Sequence, residues 1–113
     1  MNDAQRKQRI EEMLAAIARA ETYAVEADAQ EERGWFFTAA VKSECSGAAY
    51  ENAGCDAIAL QDEPRAGALF ALAAAAYERS LALCPTARHH RPRWHNEARR
   101  TRAYAENCLT RAA

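Results

Sequence analysis

The sequence predicts a single all-α domain with four helices. Half of its 113 residues are apolar but only 8% are aromatic, so alanine and leucine make up most of the apolar half. Alanine is the strongest helix former and is depleted in strands. Turn residues are scarce, with Gly 4 and Pro 3, and apolar residues recur at helical spacing. We therefore expect either an up-and-down four-helix bundle or a stack of two antiparallel helical hairpins.

The first helix is predicted over about residues 3–28, with Asp3 as its N-cap. One apolar stripe runs along it and predicts the face that packs on the core. The stripe contains Ile10, Met13, Leu14, Ile17 and Ala24. A charged segment that ends at Gly34 separates this helix from the next.

The second helix is predicted over about residues 35–53 and opens with the aromatic run Trp35–Phe37. Because successive helical residues point about 100° apart, these rings cannot all face one core. One of them either covers the corner between the helices or anchors a partner. Gly54 predicts the end of this helix, and residues 55–61 either continue the helix or form a separate turn.

The third helix is predicted over about residues 62–84 and is the central helix of the domain. Asp62 is its candidate N-cap, Pro64 suits its first turn, and Pro85 ends it. It is apolar on two sides, as expected of a helix that packs between others. The two stripes contain Leu69, Leu72, Ala76 and Leu83, and Phe70, Ala73, Tyr77, Leu81 and Cys84.

The fourth helix is predicted over about residues 92–111. Small and apolar residues follow one of its sides and predict the face toward the core. They are Trp94, Ala98, Thr101, Ala105, Cys108 and Ala112. Arginines occupy the other faces.

Part of the third helix resembles the second helix of a tetratricopeptide repeat. Residues 66–85 contain Ala73, Tyr77, Glu78, Leu81 and Pro85 in the order A-x-x-x-Y-E-x-x-L-x-x-x-P. The sequence departs from the family upstream, where Pro64 falls inside the expected first helix, and no second copy follows at the repeat period. The resemblance implies a stack of helical hairpins with a groove that binds peptides or partner helices.

Charge is distributed unevenly along the chain. Residues 1–62 contain 6 Lys and Arg against 12 Asp and Glu, whereas residues 63–113 contain 9 against 4. This asymmetry indicates an anionic partner, attraction between the two halves, or a head-to-tail dimer. The net charge of −1 disfavours a general nucleic-acid binder.

The N-terminus is polar where a secretory signal would be apolar, and no uncharged run approaches the length of a membrane span. We therefore expect a cytoplasmic protein without a membrane association. In that compartment the widely spaced cysteines are expected to be reduced, small and buried. They are Cys45, Cys55, Cys84 and Cys108.

The segment from Arg88 to Asn96 holds most of the reactive side chains. Its arginines and Trp94 suit phosphate groups or nucleic acid. Arg88 and His95 have the R-x4-6-H spacing of the helical HEPN ribonucleases, and that resemblance implies catalytic roles for both. His89, His90 and His95 with Cys84 supply ligand types for zinc, but no His pair has helical i, i+4 spacing. The remaining hypothesis is a solvated loop whose arginines pair with the acidic half of the chain.

We interpret the chain as a non-enzymatic helical module for protein–protein interaction: an adaptor, a small chaperone, or an immunity or regulatory protein. We expect no cofactor and no bound metal. The predicted partner is a protein or a peptide helix, and a homodimer through the alanine-rich faces remains open. The predicted partner-binding residues are Trp35, Phe36, Arg93, Arg99, Arg100 and Arg102. The alternative is a small nucleic-acid or phosphate binder, or a ribonuclease, that uses Arg88–Asn96.

Overall fold

The fold is all-helical, as the sequence predicts. The computed structural model describes residues 1–112, and within that range it contains four helices and no β-strand. The helices are α1 (Asp3–Glu32), α2 (Phe36–Ala59), α3 (Glu63–Leu83) and α4 (Arg91–Ala112). The prediction of four helices joined by short loops is therefore confirmed.

Each helix packs most extensively on its neighbours in the sequence: α1 on α2, α2 on α3, and α3 on α4. The domain measures 47 × 25 × 20 Å. A helix of 30 residues is about 45 Å long, so α1 sets the long dimension. Because consecutive helices run in opposite directions, the α1–α2 and α3–α4 connections lie at the same end of the domain. Both α2 and α3 have a helix on either side, so α3 shares the central position that the sequence assigned to it alone.

The ends of α1 differ slightly from the prediction. The N-cap is Asn2 rather than Asp3: the Asn2 side chain accepts a hydrogen bond from the Gln5 backbone at 2.8 Å, and the Gln5 side chain accepts one from the Asn2 backbone at 2.9 Å. This reciprocal pair is a capping box. The helix then continues to Glu32 and ends before Gly34, whose φ of 76° lies in the left-handed region that glycine adopts without strain.

Helix α2 continues past Gly54, which is a correction to the predicted helix end. Gly54 is buried inside the helix, where an added Cβ would lie 2.9 Å from the Phe70 ring. Gly47 has the same role seven residues earlier in α2. An added Cβ there would lie 3.0 Å from the Tyr77 ring. Both glycines are therefore present because aromatic rings of α3 approach the α2 backbone, and residues 55–59 belong to α2.

Every buried residue on α2 itself is alanine, glycine or serine. The buried serines connect neighbouring helices by donating to backbone carbonyls: Ser43 to Ala76 at 2.7 Å, and Ser46 to Ala20 at 2.8 Å. On α3, Ser80 donates back to Ala40 at 2.8 Å. Such hydrogen bonds require close backbones, so small side chains and buried hydroxyls together hold the three helices near one another.

Several predicted core residues are exposed. Leu72 and Leu14 are 46% and 49% exposed, although both were assigned to core-facing stripes. Alanines outside the predicted stripes are buried instead: Ala16, Ala20 and Ala27 on α1, and Ala74 on α3. Met13 and Leu69 of the same stripes are buried, as predicted.

The four cysteines are free thiols, but they are not all buried as predicted. Cys108 is buried, Cys45 and Cys84 are partly buried, and Cys55 is exposed. Burial raises the pKa of the Cys45 and Cys55 thiols, with a further contribution from nearby carboxylates. Both thiols are therefore less easily ionised than a free cysteine side chain.

Helix α3 is long and apolar enough to span a membrane by length and composition. Core helices of folded domains meet the same criteria. Here α3 packs between α2 and α4 and buries Leu69, Phe70 and Tyr77. Its apolar character is explained by that packing.

Candidate functional site

The exposed aromatic residues at the start of α2 form the first part of the candidate site. Trp35, Phe36 and Phe37 are 56%, 51% and 46% exposed, and we call this group the aromatic corner. All three rings are partly exposed to solvent, whereas the sequence predicts only that one of them faces away from the core. Within residues 1–112, no side chain caps the N-terminus of α2. The chain therefore exposes three large rings beside a helix end that carries partial positive charge.

The start of α4 meets the aromatic corner. The rings of Phe37 and His90 lie 5.1 Å apart between centroids, and His90 stacks on Trp94 at 5.5 Å with an interplanar angle of 22°. Trp94 is completely buried, as predicted. Its Nε1–H has no acceptor among the described residues. The His90 ring thus brings the Arg88–Asn96 segment into contact with the aromatic corner. No pattern in the sequence predicts this contact.

Three arginines at this end are not paired with carboxylates. The Arg33 guanidinium lies over the Trp35 ring at 5.4 Å. Arg88 and Arg91 are exposed and precede or follow His90 by one or two residues. Within the described part of the chain, none of these three arginines forms an ion pair. The end of the domain that carries the aromatic corner therefore exposes guanidinium groups without a carboxylate partner in residues 1–112.

Three of the four arginines predicted to bind a partner form ion pairs within the chain. Arg93 binds Glu44 at 2.6 Å, Arg100 binds Glu51 at 2.7 Å, and Arg102 binds Glu78 at 2.9 Å. Arg100 also pairs with Glu97 on its own helix. Hydrogen bonding to Glu44 raises the pKa of Arg93, and hydrogen bonding to Glu51 raises that of Arg100. Arg99 is exposed on the outer side of α4.

The two residues of the ribonuclease hypothesis come together. Arg88 and His95 line one open surface depression of about 350 Å³, together with Arg91 and Pro92. The zinc hypothesis has no such support: within residues 1–112, no three His, Cys, Asp or Glu side chains gather as a group that could hold a metal ion. Cys84 instead lies 3.9 Å from the Thr86 hydroxyl.

A second groove, which the sequence did not suggest, runs between α2 and α4 over α3. Its volume is about 390 Å³. Two of its lining residues, Phe70 and Tyr104, are in edge-to-face contact with 5.4 Å between ring centroids. It is lined by Cys55, Ile58, Phe70, Tyr104, Asn107, Cys108 and Arg111. The groove was missed because it requires α2 to continue past Gly54.

No protein-family model, curated protein or solved structure matches this chain. The functional assignment therefore rests on the chemistry of the surface itself.

Proposed function

We propose that this chain is a helical protein–protein interaction module and that the aromatic corner is its main contact surface. One observation carries the proposal: Trp35, Phe36 and Phe37 are consecutive, and each is about half exposed. Large aromatic residues dominate the binding energy of many protein interfaces, because they bury much apolar area and lose little conformational entropy. An adaptor, a small chaperone, and an immunity or regulatory protein are all compatible with this surface.

The packing around the aromatic corner supports this function. Phe37 packs on His90, and Arg33 packs on Trp35. Both aromatic rings are therefore partly immobilised before a partner binds. A preorganised surface loses less free energy on binding. The resemblance of residues 66–85 to a tetratricopeptide helix also implies peptide binding, although that family binds in a groove rather than at a helix corner.

The double variant Trp35→Ala/Phe36→Ala tests the proposal. Immobilised wild-type protein is used to capture binding proteins from a lysate of the cells that produce it, and captured proteins are quantified by mass spectrometry. We expect the variant to lose the specific partner, with an affinity reduced by about 100-fold or more, since each aromatic anchor contributes about 2 kcal/mol or more.

A matched control removes exposed apolar side chains elsewhere. Leu14→Ala/Val25→Ala truncates two exposed residues of α1 and should retain the partner. Thermal melting of both double variants checks that they fold. Unchanged capture by Trp35→Ala/Phe36→Ala would refute the assignment of the surface. Sedimentation of the same proteins shows whether the partner is a second copy of the chain.

A ribonuclease is the second candidate, because Arg88 and His95 line the same depression. General acid–base cleavage would assign proton transfer to His95 and phosphate stabilisation to Arg88. Under the main proposal, the purified protein leaves single-stranded RNA intact. RNA cleavage that is lost in His95→Ala but retained in His89→Ala would favour the enzyme instead.

A further inference from the structure

We propose that the aromatic corner binds an acidic segment of another protein, in which Asp or Glu residues accompany large apolar side chains. This inference rests on the proposed function and names the chemistry of the partner. It follows from the charges that surround the exposed rings.

The charge at this end of the domain is positive once the internal ion pairs are set aside. Arg79 pairs with both Asp28 and Glu31, so these three side chains together carry a net charge of −1. Glu44 is likewise occupied by Arg93. Glu32 adds a second negative charge, and the three arginines that form no ion pair within residues 1–112 leave a net charge of +1 at this end.

These three arginines are Arg33, Arg88 and Arg91. Arg33 covers the Trp35 ring, and the other two flank His90, whose ring packs on Phe37. Apolar and basic groups therefore lie at the same end of the domain. A partner that buries the rings also brings its own side chains close to the guanidinium groups, where carboxylates are attracted and lysines are repelled.

A protein fits this surface better than a nucleic acid. Nucleic-acid affinity depends on many phosphate contacts along an extended basic track. Here the track is interrupted, because Arg93, Arg100 and Arg102 of α4 are each paired with a carboxylate of the same chain. The chain as a whole carries a net charge of −1. Three free arginines beside three exposed rings suit a short acidic and apolar peptide.

The test is a selection from a random peptide display library on the immobilised full chain. We expect the enriched peptides to combine several Asp or Glu residues with Leu, Phe or Trp. A synthetic, fluorescein-labelled copy of the most enriched peptide is then titrated against the variants and followed by fluorescence anisotropy. Arg88→Glu/Arg91→Glu should weaken binding by about tenfold or more, and added salt should weaken wild-type binding.

The matched control is Arg6→Glu/Arg19→Glu, which changes the net charge equally on exposed positions of α1 and should bind as the wild type does. Selected peptides that are apolar without acidic residues, and that need Trp35 and Phe36, would overturn this inference but leave the proposed function intact. Peptides that ignore Trp35→Ala/Phe36→Ala would overturn both.

The absence of any enriched peptide also counts against the acidic partner. A fluorescein-labelled single-stranded DNA oligonucleotide supplies the last arm. If it binds more tightly than the peptide at physiological salt, and loses binding in Arg88→Glu/Arg91→Glu, the surface recognises nucleic acid instead.

Discussion

Gly47 and Gly54 occupy positions on α2 where no side chain fits. A Cβ at Gly47 would lie 3.0 Å from the Tyr77 ring, and one at Gly54 would lie 2.9 Å from the Phe70 ring. Each glycine weakens the helix by about 1 kcal/mol relative to alanine, but it allows a buried aromatic ring to contact the α2 backbone. Packing therefore outweighs helix propensity at both positions.

The variant Gly54→Ala tests this balance. Helix propensity alone predicts a gain of about 1 kcal/mol. We expect instead a loss of about 1–3 kcal/mol in the free energy of unfolding, because the buried Phe70 ring must shift. Urea denaturation measures the change. Ala48→Gly, at an exposed position of the same helix, serves as the control and should cost about 1 kcal/mol. A more stable Gly54→Ala protein would show that the ring moves freely.

Tyr77 couples stability to alkaline pH. Burial, assisted by the Glu51 and Glu97 carboxylates, raises the pKa of its hydroxyl well above the ordinary value of about 10. Above about pH 10 the unfolded chain therefore ionises Tyr77 while the folded chain keeps it protonated. The stabilisation is fully present below that pH and is lost as the pH rises through the folded pKa.

We accordingly expect the urea midpoint of the wild type to fall more steeply between about pH 10 and about pH 12 than that of Tyr77→Phe. The variant also loses the hydroxyl's 3.5 Å hydrogen bond to Glu51, so its midpoint near neutral pH supplies the baseline. Parallel pH profiles for the two proteins would contradict the role of Tyr77.

At the scale of helices, the sequence predicts the number and order of elements well. Charged or proline-containing breaks at Glu31–Gly34 and Pro85–Arg93 separate clear helical patterns, and Asp62 caps α3 as expected, accepting from the Arg65 backbone at 3.2 Å. The predicted end of α2 is wrong, because a glycine in a helical pattern can have either of two roles. Gly54 can end a helix or admit a ring, and the choice depends on Phe70, which is distant in the sequence.

The buried faces of the helices are predicted less well than their boundaries. Met13, Leu69 and Tyr77 of the predicted stripes are buried, but Leu14 and Leu72 are exposed. Ala20, which no stripe contains, is buried. Periodicity weights large side chains, whereas close helix pairs select small ones. The burial of the serines cannot be predicted from periodicity either, because their acceptors are backbone carbonyls of other helices.

Only part of the candidate site can be predicted from the sequence. Trp35 and Phe36 stood out as aromatic residues that a single core could not absorb, and their exposure agrees with that interpretation. The meeting of Phe37 with His90 depends on the antiparallel return of the chain. The engagement of Arg93 and Arg100 depends on which carboxylates of α2 face α4. Neither can be obtained from local spacing.

At the scale of the whole molecule, the uneven charge distribution has a structural consequence. Arginines of the basic second half reach carboxylates of the acidic first half: Arg79 binds Asp28 and Glu31, Arg93 binds Glu44, and Arg100 binds Glu51. These ion pairs connect α1 with α3 and α2 with α4, which are not neighbours in the sequence. Attraction between the two halves therefore accounts for part of the asymmetry.

The Arg100–Glu51 pair is the best place to measure this attraction, because Arg100 is only 36% exposed and Glu51 only 19%. We expect Arg100→Glu to lower the free energy of unfolding by more than about 1 kcal/mol, since it places a third carboxylate beside Glu51 and Glu97. The exchanged pair Glu51→Arg/Arg100→Glu should recover part of the loss, with a coupling energy of about 0.5–3 kcal/mol in urea denaturation. Arg6→Glu, which makes the same charge change on an exposed face of α1, should have little effect. Strictly additive single and double variants would show that the Arg100–Glu51 pair makes no contribution to stability.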